Sequence, residues 1–423
     1  MDEALFEQAR LPFKPPFFYG WIIVAVSAAT LFFSGPGQTY SVSTFIDQYI
    51  TEFGWSRSLV SGMYSMGTLT AGLAMGAMGG LFDRRGHRAM TIIVAVLLGL
   101  ACLWMSLVNS VAMLLLGFLM LRLFGQGSMS LSSSTLVPQW FITKKGRALS
   151  LVSVGGVVSY AVLPPLNTWI IQTFGWRMGW RFWAFLLWVV VVPIAYALIR
   201  DRPEDVGLWP DDMKIAGAGA ESSETTVGED AWTVREAMGT RSFWLLLFCM
   251  MIPSAIVTGL VFHQVSVMEQ VGLPIEAAAL VLSAMALVRL PVVLVAGQFA
   301  DRVPPRYLIA SSQGGLLIAI AILLLADSVS TALAYGSLLG IVMALSGVAG
   351  GVVWPEYYGR RHLSSIRGIT MMAGVIGSAL GPLPYGYAYD VLGNYQQALI
   401  MSMIFPMLGF VAAILATRPA KAR

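Results

Sequence analysis

Two arginines, Arg122 and Arg289, stand inside long apolar stretches. A guanidinium is a planar fork of donors that matches a carboxylate, so each is a candidate anion contact. Arginine at mid-bilayer costs about 2.5–3.5 kcal/mol on insertion scales, so such a residue has to face protein or a water-filled cavity. Arg289 lies about thirteen residues into its stretch, and Arg122 about midway along its own. Gln38 and Tyr40 follow Gly35-Pro36-Gly37, where glycine and proline break a helix and open backbone groups to a cavity. They are candidate substrate contacts. His263 closes another apolar run, and its near-neutral ring could carry a proton. Outside the apolar runs, Asp83 and Arg84 end the segment Gly79-Gly80-Leu81-Phe82-Asp83-Arg84, with Gly86 and Arg88 just beyond. An aspartate there can accept hydrogen bonds from the amino end of a neighbouring helix and pair with arginines.

The elements that must hold these residues follow from composition. Of 423 residues, 57% are hydrophobic and only 11% charged, against roughly 25% in a soluble domain. That excludes an ordinary cytosolic enzyme, a nucleic-acid-binding protein and a disordered chain. Twelve apolar runs are long enough to cross a bilayer, at about 17–46, 58–81, 88–108, 111–137, 146–172, 179–199, 243–265, 276–299, 306–327, 330–354, 366–390 and 395–416. Lipid leaves no backbone group unsatisfied, and strict alternation is absent, so these are helices. The expected fold is an all-α integral membrane protein of twelve transmembrane helices in two six-helix halves, 1–199 and 243–423. Residues 200–242, rich in Gly, Ser, Asp and Glu, read as a mostly flexible linker. Ala231 to Thr240 is expected to form a short surface helix. With the amino terminus inside, 21 of the 26 basic residues fall on the inner side and three on the outer. Both termini are therefore expected to be cytoplasmic.

The residues around Asp83 recur. Gly297-Gln298-Phe299-Ala300-Asp301-Arg302 repeats Gly79 to Arg84, Pro382 repeats Pro164 and Gly272 repeats Gly54 at an offset of 218, and Pro355-Glu356-Tyr357 repeats Pro138-Gln139-Trp140 at 217. A shared offset of about half the chain points to an internal duplication, a plan known in transporters with a central site.

These Gly-x-x-x-Asp-Arg loops, with Arg122-Leu-Phe-Gly125-Gln126-Gly127, resemble the signature elements of the major facilitator superfamily. The resemblance covers about 17–416. It implies that Gly79, Asp83, Arg84, Gly86 and Arg88 form a conformational latch, echoed by Asp301 and Arg302, where Pro304-Pro305 replaces the usual glycine. Phe18-Tyr19-Gly20-Trp21, Lys145-Gly146-Arg147-Ala148, Phe174-Gly175-Trp176-Arg177 and Arg289-Leu290-Pro291 resemble the monocarboxylate porters and the related bacterial oxalate:formate antiporters. In that group the arginine at the position of Arg289 binds the substrate carboxylate. The sequence also departs from the group. Met285 stands where many porters have an aspartate, Gly37-Gln38 where a lysine is expected, and Ala373 to Ala379 lack a second basic residue. No carboxylate falls mid-membrane. Proton symport and dicarboxylate binding are thereby put in question.

The function expected is secondary transport of small organic anions, chiefly monocarboxylates, by alternating access. The substrate-binding candidates are Arg289, Arg122, Gln38, Tyr40 and His263, with protons or a counter-anion as partners. The setting expected is a bacterial inner membrane, and the chain a monomer. The alternatives are a drug or metabolite exporter of the same fold and a non-transporting membrane sensor. No enzyme activity, cofactor or metal is expected: the three histidines, His87, His263 and His362, lack ligand spacing, and there is no P-loop or dinucleotide fingerprint. Cys102 and Cys249 fall within apolar runs, where a disulfide is not expected.

Overall fold

The computed structural model describes residues 15–212, 232–273 and 275–420. Arg10, Lys14, Lys214, Lys421 and Arg423, used above for orientation, lie outside the described residues, as does the linker from 213 to 231. Every regular element among the described residues is a helix.

Among the described residues, eleven helical stretches are long and apolar enough to span a membrane. The twelfth expected span is the 29-residue helix Arg57–Arg85, about 43 Å long. It is long enough to cross, but glycine, serine and threonine dilute its apolarity. The protein is an all-α integral membrane protein of twelve transmembrane helices. Span one is longer than its apolar run. It consists of helix Gly20–Phe33, one 3₁₀ turn Gly35–Gly37 and helix Thr39–Phe53. Asp47, one residue past the end of the apolar run, therefore sits within a helix, on an exposed face.

The chain falls into two compact units. The first comprises Met1–Ala231 and Gly359–Met372, the second Trp232–Tyr358 and Ala373–Arg423. In the first, Phe45 stacks on Trp180 at 4.2 Å within a core that includes Tyr49, Phe118 and Trp183. Asn167, fully buried, carries a polar knot through this core. Its amide donates to Ser41 at 2.9 Å and Thr44 at 3.3 Å, and its carbonyl accepts from the Trp183 indole at 2.7 Å. In lipid each such bond contributes about 0.6 kcal/mol, with a ceiling near 1.7. Asn167→Leu is expected to cost about 1–3 kcal/mol, read as thermal unfolding in detergent. Adding Trp183→Phe should cost little more, because the indole has already lost its partner; fully additive losses would refute the knot.

In the second unit, helix Ile275–Ala300 lies against helix Val329–Tyr358. Gly336 and Gly340, one turn apart, make this possible: a β-carbon on either would run into the backbone carbonyl of Val281 or Met285. Both cysteines are buried and unpaired with each other; the Cys249 thiol donates to the Gly409 carbonyl at 3.3 Å.

The start of the linker is not loose. Asp201 accepts from the Arg88 amide at 2.7 Å and Glu204 pairs with Arg360 at 3.5 Å. Asp211, in the left-handed region at φ +57, accepts from the Ile142 amide at 2.8 Å and from the Thr143 amide and hydroxyl. Residues 200–212 are thus strapped to the first unit. At the other end the short helix Val234–Met238 forms, with a reciprocal capping box between Thr233 and Glu236.

Candidate functional site

Asp83 ends helix Arg57–Arg85, whose last turn also carries Arg84 and Arg85. Its carboxylate accepts from the Ser364 amide at 3.1 Å, the Ser365 amide at 2.8 Å and the Ser365 hydroxyl. These are the orphan donors of helix Leu363–Leu380, and an anion there also meets the positive end of the helix dipole. Glycines let the two helices approach. A β-carbon on Gly79 would overlap the Ser364 carbonyl, and one on Gly368 the backbone of Met75 and Gly76. Gly79 lies four residues before Asp83, on the same helix face. Sequence reading found Gly79 and Asp83 but missed Ser364, Ser365 and Gly368. Their one signal was a small-residue cluster after a basic loop.

The other members of this loop have separate duties. Gly86 sits at φ +81 and faces the Asp201 carboxylate. Arg88 donates through Nε to the Tyr196 carbonyl at 3.0 Å and lies 4.7 Å over the Tyr196 ring. Arg84 is exposed. In the second copy the counterpart of Gly86 is Pro304, at φ −51 and ψ 131. Proline cannot take a positive φ, so this turn is built differently. Asp301 is half-buried and Arg302 exposed.

Arg122 is 6% exposed and lies in a π-helical segment, Leu121–Met129. Its guanidinium donates to the Gly37 carbonyl at 3.1 Å and the Thr39 hydroxyl at 3.2 Å, and it lies 5.1 Å over the Tyr64 ring. The Tyr64 hydroxyl in turn donates to Thr39. Arg122 therefore satisfies the backbone opened by the break in span one. The break needs Gly37, because a β-carbon there would strike the Leu121 carbonyl and Gly125. A lysine at this position, as in the porters, has no room. Gln38 donates to Ser34 at 3.1 Å and Ser130 at 3.4 Å. Tyr40 donates to Ser159 at 2.7 Å and meets Tyr160 edge-on at 4.8 Å. The structure thus gathers Arg122, Gln38 and Tyr40 around one broken helix.

In the second unit Arg289 lies at the middle of helix Ile275–Ala300 and is half-buried. It follows Met285 by four residues, so it continues the face that approaches helix Val329–Tyr358. Pro291, two residues on, lacks an N–H and frees the Leu287 carbonyl from the helix ladder. His263 stands at the end of helix Arg241–Phe262. Its Nε2 lies 3.2 Å from the Pro382 carbonyl, to which it can only donate; its Nδ1 lies 3.4 Å from the Tyr395 hydroxyl. His263 bridges to the helix Pro382–Leu392 and the loop beyond it.

Comparison with known proteins places this arrangement. Monocarboxylate transporter 13 of rat is 23% identical over 411 residues, 95% of this chain and 89% of that protein. The human organic anion transporter MFSD10 matches 95% of this chain and all of its own, with a TM-score of 0.69 at 14% identity. The fucose:proton symporter FucP of E. coli matches equally well, with a TM-score of 0.69 at 12% identity. At those identities the structures establish the fold. The family model described as Major Facilitator Superfamily matches residues 27–382 and again 243–423, and the chain belongs to that superfamily, resembling within it the monocarboxylate transporters.

Proposed function

We propose that this transporter carries small organic monocarboxylates by alternating access, with Arg289 as the carboxylate contact. The observation that carries the reading is a half-exposed arginine at the centre of a span. Lipid would not tolerate it, and a water-filled substrate path would. Arg122, the other intramembrane arginine, is committed to Gly37 and Thr39. The named activity of the rat relative agrees with an anionic substrate. The halves proposed to rock are 1–199 and 243–423, joined by 200–242. Asp83 on Ser364 and Ser365 is the proposed latch of one end state; Asp301 and Arg302 are its weaker echo. Gln38 and Tyr40 are proposed to shape the pocket for the rest of the substrate, and His263 to hold span seven in register rather than carry a proton. Inward termini and a bacterial inner membrane complete the proposal.

The test is flux of labelled lactate, pyruvate, formate and oxalate into proteoliposomes, with lactamide as a neutral competitor. Saturable lactate uptake is expected, displaced by pyruvate and at least tenfold less well by lactamide, since a neutral amide forfeits the charge-assisted bonds. Equal displacement by lactamide would sink the anion reading. Absence of flux for all four acids would favour an exporter of this fold. The response to an imposed pH gradient separates symport from exchange.

A further inference from the structure

The second unit contains a cavity of about 740 Å³ that the transport reading does not use. It lies between helix Arg241–Phe262, the segment from Gly377 to Leu392, and the stretch from Gln397 to Phe405. Its deep wall is apolar: Ile252, Ile256 and Ala398 are buried. At the mouth stand Leu380, Tyr387, Met401 and Phe405, from 50% to 72% exposed. In a membrane-spanning chain, exposed apolar side chains on spanning helices face lipid. A cavity rimmed by them is placed to open towards the bilayer.

One polar feature breaks the apolar wall. Tyr385 is 2% exposed, and its hydroxyl makes no hydrogen bond of good geometry, with Ser402 as an electrostatic neighbour. The neighbouring Ser402 hydroxyl also lines the cavity, with its proton already given to the Leu399 carbonyl at 2.7 Å. A buried hydroxyl without a well-formed bond leaves room for a better acceptor, and here it has a proton to donate. Gln397 adds a polar group at the end of the cavity near the loop that precedes helix Gln396–Ser402. A mostly apolar cavity with a few convergent polar groups is the usual build of a ligand site.

We propose that this cavity binds the acyl chain of a membrane lipid, whose carbonyl accepts a hydrogen bond from Tyr385. The chain occupies the apolar wall, and the polar end of the lipid sits towards Gln397. A phospholipid ester and a free fatty acid both supply this chemistry. The proposal stands apart from Arg289 and from the identity of the transported substrate.

The experiment is photolabelling in proteoliposomes with two probes, a phosphatidylcholine and a free fatty acid, each bearing a diazirine in the chain. Labelled residues are mapped by mass spectrometry. Labels concentrated on Met251, Met401 and Phe405 are expected, and the probe that gives them identifies the lipid class. Ala398→Trp, which fills the cavity, should abolish those labels while leaving labels on the outer faces of other spans. Tyr385→Phe keeps the shape and should lower cavity labelling about fivefold, the worth of one hydrogen bond. Labelling spread evenly over lipid-facing helices, or unchanged in both variants, would overturn the proposal.

Discussion

Arg289→Gln is expected to abolish saturable carboxylate flux while the protein still inserts and folds. Removing one member of a desolvated charge pair costs about 2–5 kcal/mol, or upwards of thirtyfold in affinity. Insertion should improve slightly, because a charge at mid-span is itself a cost. Arg289→Lys keeps the charge but loses the planar fork, and should give an intermediate loss felt mainly in apparent affinity. Parallel measurements of lactate uptake, expression and thermal stability separate the two effects. Full flux in Arg289→Gln, with stability unaltered, would remove Arg289 from the site and the monocarboxylate proposal with it.

Asp83→Ala is expected to release the amino end of helix Leu363–Leu380. The carboxylate is the acceptor for two backbone amides and a hydroxyl. Loss of an N-terminal cap of this kind costs about 2 kcal/mol. Amide hydrogen exchange over residues 363–370 should accelerate about thirtyfold, the equivalent of that energy. Asp83→Asn keeps the size but not the charge, and should lie between. Ser365→Ala removes only the hydroxyl and leaves both backbone bonds, so its effect should be smallest. If the interaction is the proposed latch, transport rate should change in the same order as exchange. Exchange unaltered in Asp83→Ala would mean that the contact does not hold the helix in solution.

Much of the fold was legible because lipid imposes one rule: apolar length means helix. The spans and the repeat could be read from hydropathy and spacing. Span two was found by its apolar run, although its Gly, Ser and Thr content dilutes the hydropathy of the helix that forms. Less legible were departures from regular helix. Gly35-Pro36-Gly37 announced a break, but nothing in the local sequence announced the π-helical turn at Leu121–Met129 or its role in bringing Arg122 to Gly37. That pairing is a tertiary event between residues 85 positions apart. The strap at 200–212 was read as linker because Asp, Pro and Gly are turn formers in any setting. Its order comes from acceptors such as Asp211 finding unpaired amides elsewhere. Of the candidate site, residue types and helix positions were readable. Which hydroxyls and carbonyls they would meet was not.

The left-handed glycines Gly54 and Gly175 are separated by as many residues as Gly272 and Gly393, and all four keep a positive φ. The two copies have therefore diverged by substitution without net insertion or deletion between these turns. At the same offset, Arg122 corresponds to Gly340 and Arg289 to Ala71. The ancestral duplication survives as a ruler: it preserved where the chain turns and released what each half carries between the turns. A molecule of this kind is symmetric in its joints and asymmetric in its charges. Each intramembrane arginine is accordingly a later acquisition of one half or a loss from the other, and reconstructing the symmetric ancestor would mean choosing between them.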